Sequence, residues 1–342
     1  AEELEEDEER APTRPAEDVA KVLAGLELVG EEGSGEIDVT KTAQFKGTVI
    51  ADDVDTSIWD FSAETMRQRT GEVGGEIIAD RYRIIEPLAA GGMARIYRVR
   101  HVNLGKEFAL KIIHADLSSD AHMRKAFIRE ARVSSLFDHP NIVQVTDFGV
   151  DDHHGAYIVM EFLKGETLHD RLNRSGRLRQ PLALDITLQV AEALHYMHQQ
   201  NIIHCDIKPE NIFLAEPPKG GRRRVVVKLI DFGLSRREAL GAQLASSEVG
   251  GTPHFMAQEQ IRGKAPQPSM DIYSLGILFY EMLVGQLPFD GEINEILNAQ
   301  LHSKPTPPST LLEEELDEYV DGLILKALEK ELRASLKTSE GF

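Results

Sequence analysis

His204-Cys205-Asp206-Ile207-Lys208-Pro209-Glu210-Asn211, H-C-D-I-K-P-E-N, is the stretch from which the rest of the chain is read. Twenty residues after Asn211 stands Asp231-Phe232-Gly233, placed directly behind the β-type run V-K-L-I. An isolated D-F-G is common by chance, and a lone aspartate is usually a cap or turn residue. The octapeptide followed by D-F-G at the end of a hydrophobic strand is far rarer. Upstream, Ala109-Leu110-Lys111 closes another β-type run, and a helical segment carrying Glu130 begins soon after. Before it lies L-A-A-G-G-M-A-R-I-Y, Leu88 to Tyr97, a glycine pair between strand-like flanks.

Working outward, the texture is β first and α afterwards. Tyr82–Pro87, Ala94–His101 and Glu107–His114 are short β-type runs separated by Gly-containing turns, the pattern of an antiparallel meander. A helix is predicted over Ala121–Phe137, stopping at Asp138-His139-Pro140. Strands follow at Ile142–Phe148 and Ala156–Phe162. Beyond Thr167 the pattern turns mostly helical, with long periodic segments at Pro181–Gln199 and Met270–Val284. Between them lie the short hydrophobic runs Ile212–Leu214 and Val225–Ile230. This order predicts an α+β fold in two lobes, N-lobe 82–161 and C-lobe 164–342, within a domain spanning 76–342.

On these motifs, in this order and spacing, the chain resembles the eukaryotic-like serine/threonine protein kinases, in particular their bacterial branch. The resemblance covers roughly residues 82–342. It implies a bilobed protein-kinase-like fold: a small N-lobe antiparallel sheet with one helix, and a larger, mainly helical C-lobe. It also implies ATP and Mg²⁺, with Mn²⁺ an alternative, and Ser/Thr hydroxyls of protein substrates as acceptors. Lys111 would hold the α- and β-phosphates, oriented by an ion pair with Glu130. Leu88, Gly91, Gly92, Ile96, Ala109 and Met160 would line the nucleotide site, and backbone groups at Glu161 and Leu163 would meet the adenine. Asp231 and Asn211 would supply hard oxygen ligands to the metal. Asp206 would orient the acceptor hydroxyl, Lys208 would neutralise the γ-phosphate, and Thr252 of Gly251-Thr252-Pro253 would brace both. Asp271, in M-D-I-Y-S-L-G, matches the family aspartate that braces the catalytic loop. The D-x-K-P-E-N form is that of Ser/Thr rather than tyrosine kinases.

Four departures stand out. Ala89 and Ala94 occupy positions where the family has the first and third glycines of the phosphate loop, and their Cβ atoms predict weakened ATP binding. Cys205 replaces the arginine that clamps a phosphorylated activation loop, so activity is expected not to depend on phosphate at Ser246 or Ser247. Ala257-Gln258-Glu259 stands for Ala-Pro-Glu, loosening but not abolishing that turn, with Arg333 the expected partner of Glu259. Finally, Ala215–Arg224 lengthens the hairpin before D-F-G with a basic run. Two alternatives compete with the kinase reading. A pseudokinase scaffold is favoured by the altered loop but opposed by the presence of Lys111, Glu130, Asp206, Asn211 and Asp231. A small-molecule phosphotransferase would not need the G-T-P loop that docks a polypeptide.

Composition bounds these readings. The 342 residues are 42% hydrophobic and 28% charged, enough for a sizeable core. Residues 1–80 hold 7 Lys/Arg against 22 Asp/Glu, −15 of the chain's net −19, so the other 262 residues are near neutral at −4. Neither part carries a basic footprint for nucleic acid. Residues 1–75 read as an acidic, flexible extension with apolar islands at Val19–Val29 and Phe45–Phe61, the latter holding Trp59, the only tryptophan. Thr40, Thr42, Thr48 and Thr56 there are candidate autophosphorylation sites for a phosphothreonine-binding partner, or part of a segment occupying the substrate groove; an unmodified linker explains them equally well. The longest apolar run, Tyr273 to Gly285, is short for a membrane span and is broken by Glu281. No signal peptide opens the sequence, and one cysteine cannot form an internal disulfide. The expectation is a soluble, cytoplasmic chain; a start at Ala1 is expected of a processed or excised fragment.

Overall fold

The computed structural model describes Lys21 and residues 59–60, 75–91, 94–113, 121–151, 153–217, 225–231, 253–313 and 316–330. Thr40, Thr42, Thr48 and Thr56, Gly92, Phe232-Gly233, Ser246, Ser247, Gly251, Thr252 and Arg333 lie outside the described residues. So does the expected extension over 1–75, apart from Lys21, Trp59, Asp60 and Gly75. The chain forms two compact units, with the division at Lys164/Gly165.

The first unit is an antiparallel sheet with one helix: β1 (Trp59–Asp60), β2 (Ile77–Ile78), β3 (Tyr82–Gly91), β4 (Ala94–His101), β5 (Glu107–Ile113), α1 (Ala121–Ser134), β6 (Val145–Asp151) and β7 (Gly155–Glu161). Strand order is β1-β3-β4-β5-β7-β6, with β2 also paired to β3. Strands alternate their side chains between faces. On β5, Leu110 and Ile112 therefore join a core with Tyr82, Ile84, Tyr97, Val99, Tyr157 and Val159. Ile113, from the other face, packs with Ile158, Ala156 and α1 residues Phe127, Ile128 and Ala131.

Three boundaries differ from expectation for local reasons. β3 runs on to Gly91 because register shifts around Glu86 and at Pro87/Ala89 absorb the proline, which lacks an N–H for the ladder. β6 begins at Val145: the Ile142 N–H bonds His139 O in a turn, so the apolarity of Ile142 and Val143 marks core burial, not strand. α1 stops at Ser134, where Leu136 and Phe137 N–H groups bond Val133 O and Ser134 O in a tighter turn. Trp59 and Asp60 extend the sheet, pairing with Gly91 and Ala90 respectively.

The second unit holds β8 (Gly165–Thr167), α2 (Leu168–Ser175), α3 (Gln180–Gln199), a 3₁₀ turn (Pro209–Asn211), β9 (Ile212–Ala215), β10 (Val226–Leu229), α4 (Gln258–Ile261), α5 (Pro268–Val284), α6 (Ile293–His302) and α7 (Glu318–Ala327). A capping box starts α2: Thr167 Oγ1 accepts from Asp170 N–H at 3.0 Å while Asp170 Oδ2 accepts from Thr167 N–H at 3.4 Å. Every α5 residue from Met270 to Leu283 is buried except half-buried Glu281, as expected of a helix that is apolar all round. Among the described residues no helix is long and apolar enough to cross a membrane.

Candidate active site

In the first unit, cross-strand pairing collects the expected nucleotide residues on one face. Lys111 lies opposite Ile96 on β4 and Ile158 on β7, and Ala109, two residues earlier, lies opposite Met160. Directly opposed residues share a face, as do residues two apart on a strand. Ile96, Ala109, Lys111 and Met160 therefore all face the side on which α1 packs. Met160, expected to line the nucleotide site, also packs against the α1-side core. Leu88 is half-buried, and Ala89 and Ala94 are strand residues at 3% and 7% exposure. Gly91 ends β3. The Glu161 N–H bonds Gln144 O at 3.0 Å, so an adenine donor would be met by its carbonyl; Leu163 follows, half-buried.

Lys111 is 3% exposed and its Nζ lies 3.4 Å from Glu130 Oε1, itself in a residue 4% exposed. The Phe127 ring centroid is 5.8 Å from the same ammonium. The lysine is buried, as the flanking F-A-L and I-I predict, on the face that α1 covers, and α1 presents Glu130 one turn after Phe127.

In the second unit, the octapeptide folds around Asp206. Lys208 Nζ lies 3.1 Å from Asp206 Oδ2. Asn211 Nδ2 donates to Asp206 Oδ2 at 3.0 Å and to Asp206 O at 2.8 Å. Its other amide atom, Oδ1, is buried and has no hydrogen-bond partner, an acceptor left open for a ligand. The β9–β10 ladder then sets the second predicted metal residue: pairing runs to Leu229↔Ile212, Ile230 N–H bonds Asn211 O at 3.1 Å, and Asp231 follows, 6% exposed.

Asp271 braces this loop as expected. Fully buried on α5, it accepts from His204 N–H at 2.9 Å, from Cys205 N–H at 2.7 Å and from His198 Nε2 at 2.7 Å. Burial pushes the His204 pKa down, against the pull of Asp271, Asp206 and Asp231. The neutral ring accepts the Asp206 N–H at Nδ1, 3.3 Å away. Cys205 is buried at φ 63°, a left-handed conformation. Ala257-Gln258-Glu259 keeps its turn without proline: Gln258 is the first residue of α4, and its Oε1 accepts from Arg262 Nη1 at 2.6 Å.

Sequence reading missed three participants. His198 and Gln260 gave no local signal, because their partners lie 73 and 55 residues away. Glu281 did give one, the charge interrupting an apolar run. Its Oε2 and the Oε2 of Glu210 are both buried without partners. Burial, and then the nearby Glu210 charge, pushes the Glu281 pKa up to about 7. His169 Nδ1 stands 3.7 Å from the other Glu210 oxygen, Oε1.

Comparison with known proteins shows the family. A family model described as the protein kinase domain matches residues 82–337. Serine/threonine-protein kinase pkn2 of Myxococcus xanthus is 37% identical over 260 residues, covering 75% of this chain and 31% of that protein. PrkC of Bacillus subtilis is 34% identical over 266 residues, covering 78% of this chain and 40% of its own. PknB of Mycobacterium leprae is 34% identical over 258 residues, covering 74% and 40%. The chain thus spans about a third to two fifths of the length of these relatives.

Proposed function

Because the chain belongs to the protein kinase family, we propose that it is a protein serine/threonine kinase of bacterial signalling, moving the γ-phosphate of ATP to Ser/Thr hydroxyls of proteins. The observation that carries this reading is the Asp206–Lys208–Asn211 cluster, with Asn211 Oδ1 buried and open. Asp206 orients the acceptor hydroxyl and takes up its proton at a carboxylate oxygen, while Lys208 offsets phosphate charge. Asn211 Oδ1 and the Asp231 carboxylate are hard oxygen donors that fit Mg²⁺, with Mn²⁺ an alternative of the same donor preference. Bound there, the ion would offset charge on the phosphates. In the first unit, Glu130 orients Lys111 toward the phosphates. A buried ion pair adds little net stability, which favours a binding role for it. Thr252 keeps its proposed bracing role.

The neighbouring Glu210 and Glu281 carboxylates, each with an unpartnered buried oxygen, support a basic side chain in the preferred substrate. As part of the same proposal, the kinase works in the cytoplasm, where ATP is supplied, and its tail threonines are sites for a phosphothreonine-binding partner. Mass spectrometry after autophosphorylation checks the tail; unmodified Thr40, Thr42, Thr48 and Thr56 end that part.

Incubation with labelled ATP and Mg²⁺ tests the function. Label should pass to the chain itself or to a generic protein, and Asp231→Ala should reduce transfer by at least about a hundredfold. A folded wild-type chain that binds ATP and transfers nothing is a scaffold instead.

A further inference from the structure

One side chain of α4 reaches back to the peptide that leads into Asp206. Gln260, 6% exposed, donates from Nε2 to the Cys205 carbonyl oxygen at 2.9 Å. At its other end Oε1 accepts from the Ala257 N–H, also at 2.9 Å. The second bond sets the amide's orientation. Turned over, it would bring Oε1 against a carbonyl and Nε2 against an N–H, losing both bonds.

The Cys205 carbonyl belongs to the Cys205–Asp206 peptide, whose N–H donates to His204 Nδ1 at 3.3 Å. Both polar ends of that plane are therefore held. The preceding N–H is taken by Asp271 Oδ1 at 2.7 Å. Cys205 itself sits at φ 63°, which is strained for a residue with a Cβ and persists only where its surroundings over-determine it. Relaxing the plane would rotate Asp206 away from Asn211 and Lys208, which fix its carboxylate.

We propose that Gln260 is a positioning residue for phosphotransfer, holding the Cys205–Asp206 peptide and, through it, the Asp206 carboxylate. This rests on the role given to Asp206 above. It makes the A-Q-E turn and the catalytic loop one unit: the amide that caps Ala257 also holds the peptide entering the catalytic aspartate.

The test uses the full chain in the labelled-ATP assay, with thermal unfolding of each variant alongside. Gln260→Met keeps the volume and removes both bonds. Gln260→Glu keeps an acceptor for Ala257 but sets an ionised oxygen against the Cys205 carbonyl. Both should lower kcat by about tenfold or more, with KM for ATP changed less than about twofold. As pH falls from about 8 to about 6, kcat of the Glu variant relative to wild type should recover, because a protonated carboxyl regains a donor. The Met variant should not recover. Should the Met variant fail to fold, the pH profile of the Glu variant decides. An active wild type whose Met variant turns over equally fast, or losses that track the unfolded fraction with no pH recovery, overturns the proposal alone. A wild type that transfers no label overturns the function with it.

Discussion

Glu281 carries a charge question that its neighbours settle. With its Oε2 buried, unpartnered and near Glu210, it holds its proton up to about pH 7. The folded pKa lies above the ordinary value of 4.5, so folding favours the protonated carboxyl. Its contribution to stability is complete below about pH 4.5 and is lost as pH rises through about 7. Glu281→Gln, which keeps the shape without the charge, should match wild type near pH 4. It should be more stable at pH 8 by on the order of 2 kcal/mol, read from urea unfolding at both pH values. Equal differences at the two pH values would remove the charge from the explanation. Lys111 shows the opposite case of legibility: its flanking F-A-L and I-I announce a buried strand, so its burial could be read directly. The depth of Glu281 could not, because a charge in an apolar run does not say which atoms will surround it.

At Gly276, α7 packs closely on α5. A Cβ added there would lie 2.8 Å from Ala327 Cβ and 3.1 Å from Leu328 Cδ2. Both contacts are to buried side chains, so Gly276→Ala should destabilise by about 1–3 kcal/mol, although alanine is the better helix former by about 1. The double variant with Ala327→Gly should recover part of the loss, as contacting sites do not add. A single variant more stable than wild type by urea unfolding would refute the close crossing. Periodicity located α3, α5 and most strands within a few residues. It misplaced the start of β6, because Ile142 and Val143 are apolar for the core's sake and not for a ladder's. It gave no warning that Gln260 would cap the A-Q-E turn in place of the missing proline.

At the scale of the whole chain, the acidity lies in residues 1–80, while the part matching the protein kinase domain is close to neutral. Nucleotide binding should therefore depend on local donors and a metal, with little contribution from overall charge. ATP with Mg²⁺ at a hundred times its Kd should raise stability by about 2.7 kcal/mol. EDTA or Asn211→Ala should remove most of that gain in a thermal scan, and a gain indifferent to both would deny Asn211 its metal role. By itself the sequence determined the α+β order and the family, and it singled out Lys111, Asp206, Asn211 and Asp231 as candidates. Connectivity and strand period set the surroundings of such residues within a few positions along the chain. Only the tertiary structure decided the distant partners that no motif announced: His198 for Asp271, Gln260 for the Cys205 carbonyl, Glu210 for Glu281. Packing brings those partners together across 55 to 73 residues, and burial then sets their charge and hydrogen bonding, which leave no trace in local spacing.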